Sequence, residues 1–419
     1  MSYKDVISTL APPPVCAGGG FCHDHAVPRD EEAEGCVEIS EEGDIMSEKL
    51  TRFFASRWGI ILAGAVIGLL APLLQFAGNP KNMGVCVACF ERDIAGALGL
   101  HRAAVVQYVR PEIVAFVLGA TIAALIFREF KARAGSAPIV RFVLGMFAMI
   151  GALAFLGCPW RALLRFSAGD LNAVVGLLGL AVGIFVGVQF LKAGYNLGRS
   201  RKTYPVVGWI MPVLMLGLLL LLVFKVKVSD TGALFFSETG PGSQHAFWLI
   251  SLGAGLIIGF LAQRTRFCTM GSIRDMILMR DTHLISGVGA LVVVAVVMNL
   301  ILGQFGPIGF FGQPVAHSQH LWNFLGMALA GLAFALAGGC PGRQLFLAGE
   351  GDGDSAVFVL GMITGAGLAH NFMLAGSPDS VVEGVQKVGG ISPYGMAAVV
   401  LGLVVCVVLG FTMREKMEA

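Results

Sequence analysis

The chain has 419 residues, of which 56% are hydrophobic and only 13% charged, and its mean hydropathy is +0.78. A soluble domain carries about 25% charged residues, so the composition excludes an ordinary soluble protein and points to a polytopic membrane protein. The net charge of +2 gives no basis for nucleic-acid binding.

Residues 1–46 are polar and lack the apolar core of a secretory signal peptide. Asp5, Asp24, Asp30, Glu31, Glu32, Glu34, Glu38, Glu41, Glu42 and Asp44 face only Lys4 and Arg29, so the leader carries −8 and the remainder +10. It also holds Pro12–Pro14, Gly18–Gly20 and a group of Cys16, Cys22, His23, His25 and Cys36. These spacings fit no standard zinc pattern. The expectation is a disordered leader, or translated upstream sequence ahead of a start at Met46; the functional alternative is a metal- or chalcogen-binding tail.

A spanning helix needs about 20 apolar residues. Ten segments qualify as candidates: 58–77, 111–128, 140–157, 171–191, 205–224, 247–263, 284–303, 322–338, 355–375 and 394–412. They divide the chain into a first membrane repeat (47–225), an outer linker (226–246), a second membrane repeat (247–412) and a cytoplasmic tail (413–419). Five spans per repeat is an odd number, so the second copy inserts upside down relative to the first, a common plan for transporters. The basic loops agree with N-in and C-in in a plasma (inner) membrane. Arg128, Lys131, Arg133 and Arg141, then Lys192, Arg199, Arg201 and Lys202, then Arg264, Arg266, Arg274 and Arg280 fall on one side, and loop 304–321 on the other has no Lys or Arg.

The repeat is visible at residue level. An offset of 182 carries Cys158-Pro159 onto Cys340-Pro341, Cys86 onto Cys268, Arg92-Asp93 onto Arg274-Asp275, Phe142 onto Phe324, and Gly169-Asp170 onto Gly351-Asp352. Two segments per repeat are too short and too polar to span: 86–99 and 159–168, then 268–281 and 341–350. These are expected to be re-entrant half-helices, tolerated at membrane depth only when buried in protein or lining a cavity.

Cysteine is the chemistry the two copies share. Pro is favoured at the first helical position, which places Cys158 and Cys340 at the N-caps of short helices. A helix N-terminus carries partial positive charge and free N–H groups that receive anions, and Arg161 and Arg343 add charge two residues past each proline. The plain alternative is a small buried residue at a tight junction, since cysteine is among the most buried residue types. Cys86-Val87-Ala88-Cys89 is a CxxC; Cys89 falls on Gly271 in the second copy, so Cys86 is the symmetric position and Cys89 an addition. Arg92-Asp93 and Arg274-Asp275 read either as ion pairs pinning the half-helices or as charges drawing anions inward. Cys406 lies in an unbroken apolar run and reads as core. His101, His283 and His370 are isolated and read as packing or helix-end residues. No metal or cofactor set is legible.

Arg266-Phe267-Cys268-Thr269-Met270-Gly271-Ser272-Ile273-Arg274-Asp275-Met276, with Ala337-Gly338-Gly339-Cys340, resembles the YeeE/YedE family of sulfur-transport membrane proteins. Val85-Cys86-Val87-Ala88-Cys89-Phe90-Glu91-Arg92-Asp93 resembles its YedE-type branch, associated with selenium. The resemblance covers about residues 50–415. It implies an all-α, hourglass-shaped importer in which short helices meet at the centre and thiols pass an anion along by hydrogen bonds. By motif that role falls on Cys86, Cys268 and Cys340, with Cys158 in the pseudo-symmetric place of Cys340. Cys89 departs from the thiosulfate pattern. The function expected is therefore a non-enzymatic transporter of a small selenium- or sulfur-containing anion through a path of Cys86, Cys89, Cys158, Cys268 and Cys340. Arg92, Asp93, Arg161, Arg274, Asp275 and Arg343 supply supporting charge, and no cofactor is expected. The partners expected are the anion, the bilayer and a soluble cytoplasmic sulfur or selenium carrier. The alternatives are a membrane thiol oxidoreductase using Cys86/Cys89 and a scaffold delivering selenium to a soluble partner.

Overall fold

The computed structural model describes residues 49–224, 234–382 and 385–415. The leader with Cys16, Cys22, His23, His25 and Cys36, the start of the outer linker and the last four residues lie outside the described residues.

Ten long helices occupy the ten expected segments: α1 (Arg57–Phe76), α3 (Pro111–Ile126), α4 (Pro138–Phe155), α6 (Asn172–Lys192), α7 (Pro205–Val223), α8 (Trp248–Thr265), α10 (His283–Ile301), α11 (His320–Ala337), α13 (Gly353–Asn371) and α14 (Pro393–Thr412). Between them lie four short ones: α2 (Val87–Ala97), α5 (Pro159–Phe166), α9 (Thr269–Met279) and α12 (Pro341–Gly349). The protein is an all-α, multi-pass membrane protein. Among the described residues, eight stretches of helix are long and apolar enough to cross a membrane; neither α3, with 16 residues, nor α13 is one of them. Both are largely buried among other helices. The only strands described are two short antiparallel pairs, Arg133–Ala134 with Arg201–Lys202 and Ser380–Val382 with Val385–Lys387.

Proline sets most of the starts. Pro111, Pro138, Pro159, Pro205, Pro341 and Pro393 each stand in the first turn of their helix, where the missing N–H costs nothing. Helix α11 ends on Gly338 at φ +87°, and α4 ends 182 residues earlier on Leu156 at φ +65°. The first is a favourable left-handed cap. The second imposes the same turn on a residue with a Cβ, at some cost.

Packing exchanges under the same offset. Helix α6 packs on α11 as α13 packs on α4, and α8 on α3 as α10 on α1. A Cβ built on Gly179 would lie 2.1 Å from the Phe324 carbonyl oxygen, and one on Gly361 would lie 2.2 Å from that of Phe142. Each member of the first contact is 182 residues from its counterpart in the second. Small residues let membrane helices approach this closely. Gly179→Leu and Gly361→Leu are each expected to lower the thermal unfolding midpoint of the purified protein, by an overpacking cost of about 1–3 kcal/mol or more. A variant that melts with the wild type would show that the two helix pairs are looser than drawn.

Candidate functional site

All four short helices open on a cysteine N-cap: Cys86, Cys158, Cys268 and Cys340. Two of these thiols close the cap themselves. Cys86 Sγ accepts from the Cys89 N–H at 3.3 Å, and Cys268 Sγ from the Gly271 N–H at 3.2 Å. Cys158 and Cys340 stand before the prolines. Their sulfurs approach N–H groups without closing a capping bond: Ala88 and Arg161 for Cys158, Thr269 and Arg343 for Cys340. Each therefore faces the N-termini of two short helices at once, a focus of partial positive charge.

The fold brings the thiols together in pairs. Cys86 Sγ and Cys158 Sγ are 3.8 Å apart and both residues are fully buried. Cys268 and Cys340 are the corresponding neighbours, with Cys268 reaching the edge of a cavity. All six described cysteines are free thiols. Cys89 lies beside Cys86 and also reaches the Leu156 carbonyl (3.9 Å) and the Arg161 guanidinium (3.6 Å). Cys406 is buried within α14, as its apolar run implies.

Trp160 of the first copy packs against residues close to Cys268 and Cys340 in the second. It is two residues past Cys158 and wholly buried, with its ring 5.7 Å from Phe267, 6.1 Å from Phe346 and 5.9 Å from Phe116. A Cβ on Gly342 would sit 3.1 Å from the indole. Position 160 of the first copy corresponds to position 342 of the second, so a large ring on one side fills the space a glycine leaves on the other. Its indole N–H is buried without a partner.

Two cavities flank this centre. One of about 410 Å³ reaches Cys268 and is lined by Arg264, Arg266, Arg274, Arg343 and His283 against only Asp275 and Asp281. Arg343 pairs with Glu350 at 3.3 Å, Arg274 with Asp275 at 2.8 Å, and Arg264 with Glu129 at 2.8 Å. The other cavity, about 280 Å³, is lined by Lys81, Asn82, Gln75, Gln304, Gln313 and Pro314 among others. Arg161 stands between this second cavity and Cys89. Its guanidinium donates to the carbonyls of Asn82 (3.3 Å), Val315 (3.0 Å) and Leu156. Arg161 and Arg343 thus occupy equivalent sequence positions in unequal settings, one bonded to loop carbonyls and the other beside an open cavity.

Arg92 and Asp93 form a wider network than a pair. Asp93 accepts from Arg92 at 2.7 Å and from Arg110 at 2.7 Å, all three buried, and Arg110 also donates to the carbonyls of Pro241 and Gln244. The second-copy pair, Arg274 and Asp275, leaves Arg274 about 30% exposed. Arg165 and Asp170 make another wholly buried pair at 2.6 Å. Next to them, Gly169 takes φ +97° and Gly351 φ +95°, the left-handed turn that explains a glycine at both places. His101 and His370 meet, with ring centroids 4.5 Å apart. Burial holds His101 below the ordinary imidazole range, so it is neutral at neutral pH and bonds the Arg92 carbonyl.

Repetition does not mark Arg110, Trp160, Arg165 or Glu91, whose counterparts are Val292, Gly342, Leu347 and Ile273. Intramembrane charge is the signal that could have found Arg110, Arg165 and Glu91.

Residues 264–419 match the model of a family described as sulphur transport. A thiosulfate transporter TsuA from Spirochaeta thermophila is 30% identical over 101 residues, 23% of this chain and 30% of that protein. The Escherichia coli protein of the same name is 30% identical over 103 residues, 25% of this chain and 28% of that protein. The matched stretch spans less than a third of the length of either relative.

Proposed function

We propose, from the match of residues 264–419 to a sulphur-transport family model and the partial likeness to two thiosulfate transporters, that this chain is a transporter, not an enzyme, and that it carries a small sulfur- or selenium-containing anion across the inner membrane. The observation that carries this reading is the pairing of four cysteine N-caps: Cys86 with Cys158, and Cys268 with Cys340. A thiol is a weak, polarizable donor, suited to a large soft anion. Set at two half-helix N-termini, it receives negative charge without a fixed counter-ion that would hold the anion too tightly.

The route runs in five steps. The anion enters at the cavity beside Lys81, passes Arg161 and Cys89, meets Cys86 and Cys158, crosses the Trp160 ring, and leaves by Cys268 and Cys340 into the arginine-lined cavity. With both termini inside, that last cavity faces the cytoplasm, and a soluble carrier would collect the anion there. The two halves act as inverted repeats, 47–225 and 247–412, so the two thiol pairs serve opposite faces. On this reading the conformation is open at Cys268, which borders a cavity, and closed at Cys86 and Cys158, which are fully buried. The test is uptake of labelled thiosulfate, selenite and selenide into vesicles holding the purified full chain. Saturable uptake of one of them is expected, and none above protein-free vesicles would overturn the reading.

The arginines should separate. Arg343→Gln removes a charge from the inner cavity while Glu350 keeps Arg133 at 3.6 Å. Loss of one charge-assisted hydrogen bond, about 1.5–3 kcal/mol, is expected to raise KM at least about tenfold with normal membrane insertion. Arg161→Gln instead releases the loop at 314–315, and is expected to lower thermal stability as well as uptake. Equal KM in wild type and Arg343→Gln would remove that arginine from anion binding.

A further inference from the structure

Glu91 is the buried group that the route above does not use. It is fully buried, and neither of its carboxyl oxygens has a hydrogen-bond partner. An ionised carboxylate isolated in an apolar surround costs far more than the neutral acid, so the site holds a carboxyl group able to carry a proton. Its counterpart in the second copy is Ile273, so the acid is no relic of duplication.

The titratable groups around it are engaged elsewhere, with two exceptions. On its own helix, Arg92 and Asp93 are tied to each other and to Arg110, and Cys89 lies against Arg161. Helix α2 packs on α3, α4, α12 and α13. From these, Glu112 accepts from Asn79 and Ser251, Arg141 donates to Ser136 and Ala337, Arg343 pairs with Glu350, and Asp354 accepts from the Gly135 and Ser136 N–H groups. One exception is His370, which lies against the neutral His101 with its own Nε2 buried and unpartnered. The other is Cys158, paired with Cys86 and near enough to act on Glu91 through space.

We propose that Glu91 is the proton-binding site that couples anion transport to the proton gradient. An anion arriving at Cys86 and Cys158 brings negative charge close to Glu91 and favours a proton there; by reciprocity the bound proton favours the anion. The proton enters from the outer water with the anion, rides on a Glu91 carboxyl oxygen, and is released to the inner water when the anion departs. No bond other than O–H forms or breaks.

This rests on the transport reading, and the experiment separates the two. Vesicles holding the full chain, with the membrane potential clamped, are assayed for labelled thiosulfate, which stays a dianion across the pH range used. One pH unit, acid outside, is expected to raise the steady accumulation ratio about tenfold per coupled proton. Glu91→Gln, and Glu91→Ile, which copies the second repeat, are expected to lose that response whatever their downhill rate. A further arm needs no variant: an apolar carbodiimide, which reacts with protonated carboxyls, is expected to label Glu91 and abolish the response. Downhill uptake with no pH response in the wild type, a normal response in either variant, or modified protein that still responds would overturn the coupling role alone. No uptake at all would overturn the transport reading.

Discussion

Cys340→Ala is expected to lower the initial rate of anion uptake by about ten- to a hundredfold while the protein still inserts and folds. The substitution removes one buried sulfur at the head of α12 and little else. Ala stands before Pro341 as readily as Cys, so the half-helix start survives. What is lost is the thiol at the focus of two helix N-termini, beside Cys268. A hydrogen bond to a charged group is worth about 1.5–3 kcal/mol, or one to two decades at about 1.4 kcal/mol per tenfold. Cys158→Ala should behave alike, because it holds the same place in the other half. Cys406→Ala is the control: it lies within α14, far from any half-helix cap in sequence, and uptake should be unchanged. The check is a time course of labelled thiosulfate in vesicles with matched protein content.

Asp93→Asn is expected to cost more in stability than any other single charge change near the site. It leaves Arg92 and Arg110 buried around a neutral amide. Breaking a buried pair strands an uncompensated charge, at about 3–5 kcal/mol, and here two arginines share the one carboxylate. Asp275→Asn, at the equivalent position, faces an Arg274 that is about 30% exposed. Solvent screens that charge, so the loss should be about 1 kcal/mol or less. Thermal unfolding of the two purified variants reads the difference directly. Equal losses would mean that the first-half network is better solvated than its burial implies.

The sequence made the long helices legible because membrane spans are an unusually plain signal: about 20 apolar residues between polar loops. The short helices were legible for a different reason. Cys-Pro and the Arg-Asp pair recur at one offset, and a proline at the first helical position fixes where each short helix starts. What the sequence concealed is of two kinds. Spatial pairing is one: nothing in the spacing of Cys86 and Cys158, 72 residues apart, says that their sulfurs touch, because the intervening helices decide it. The other is asymmetry. A search by repetition finds what both halves share, and so passes over Glu91, Arg110, Trp160 and Arg165, which belong to the first half alone. The Trp160–Gly342 exchange is the clearest instance, where a ring in one copy occupies the room left by the other. The same bias made Arg161 and Arg343 look equivalent, when one is bonded to loop carbonyls and the other borders a cavity.

If the anion passes along the paired thiols, transport must fail when all four are removed. The most direct measurement is uptake of labelled thiosulfate by a variant in which Cys86, Cys158, Cys268 and Cys340 are all alanine, compared with wild type in vesicles of equal protein content and with thermal unfolding confirming a folded chain. Saturable uptake is expected of the wild type, and of the variant a rate no greater than that of protein-free vesicles. Wild-type uptake in a folded variant lacking all four thiols would contradict it.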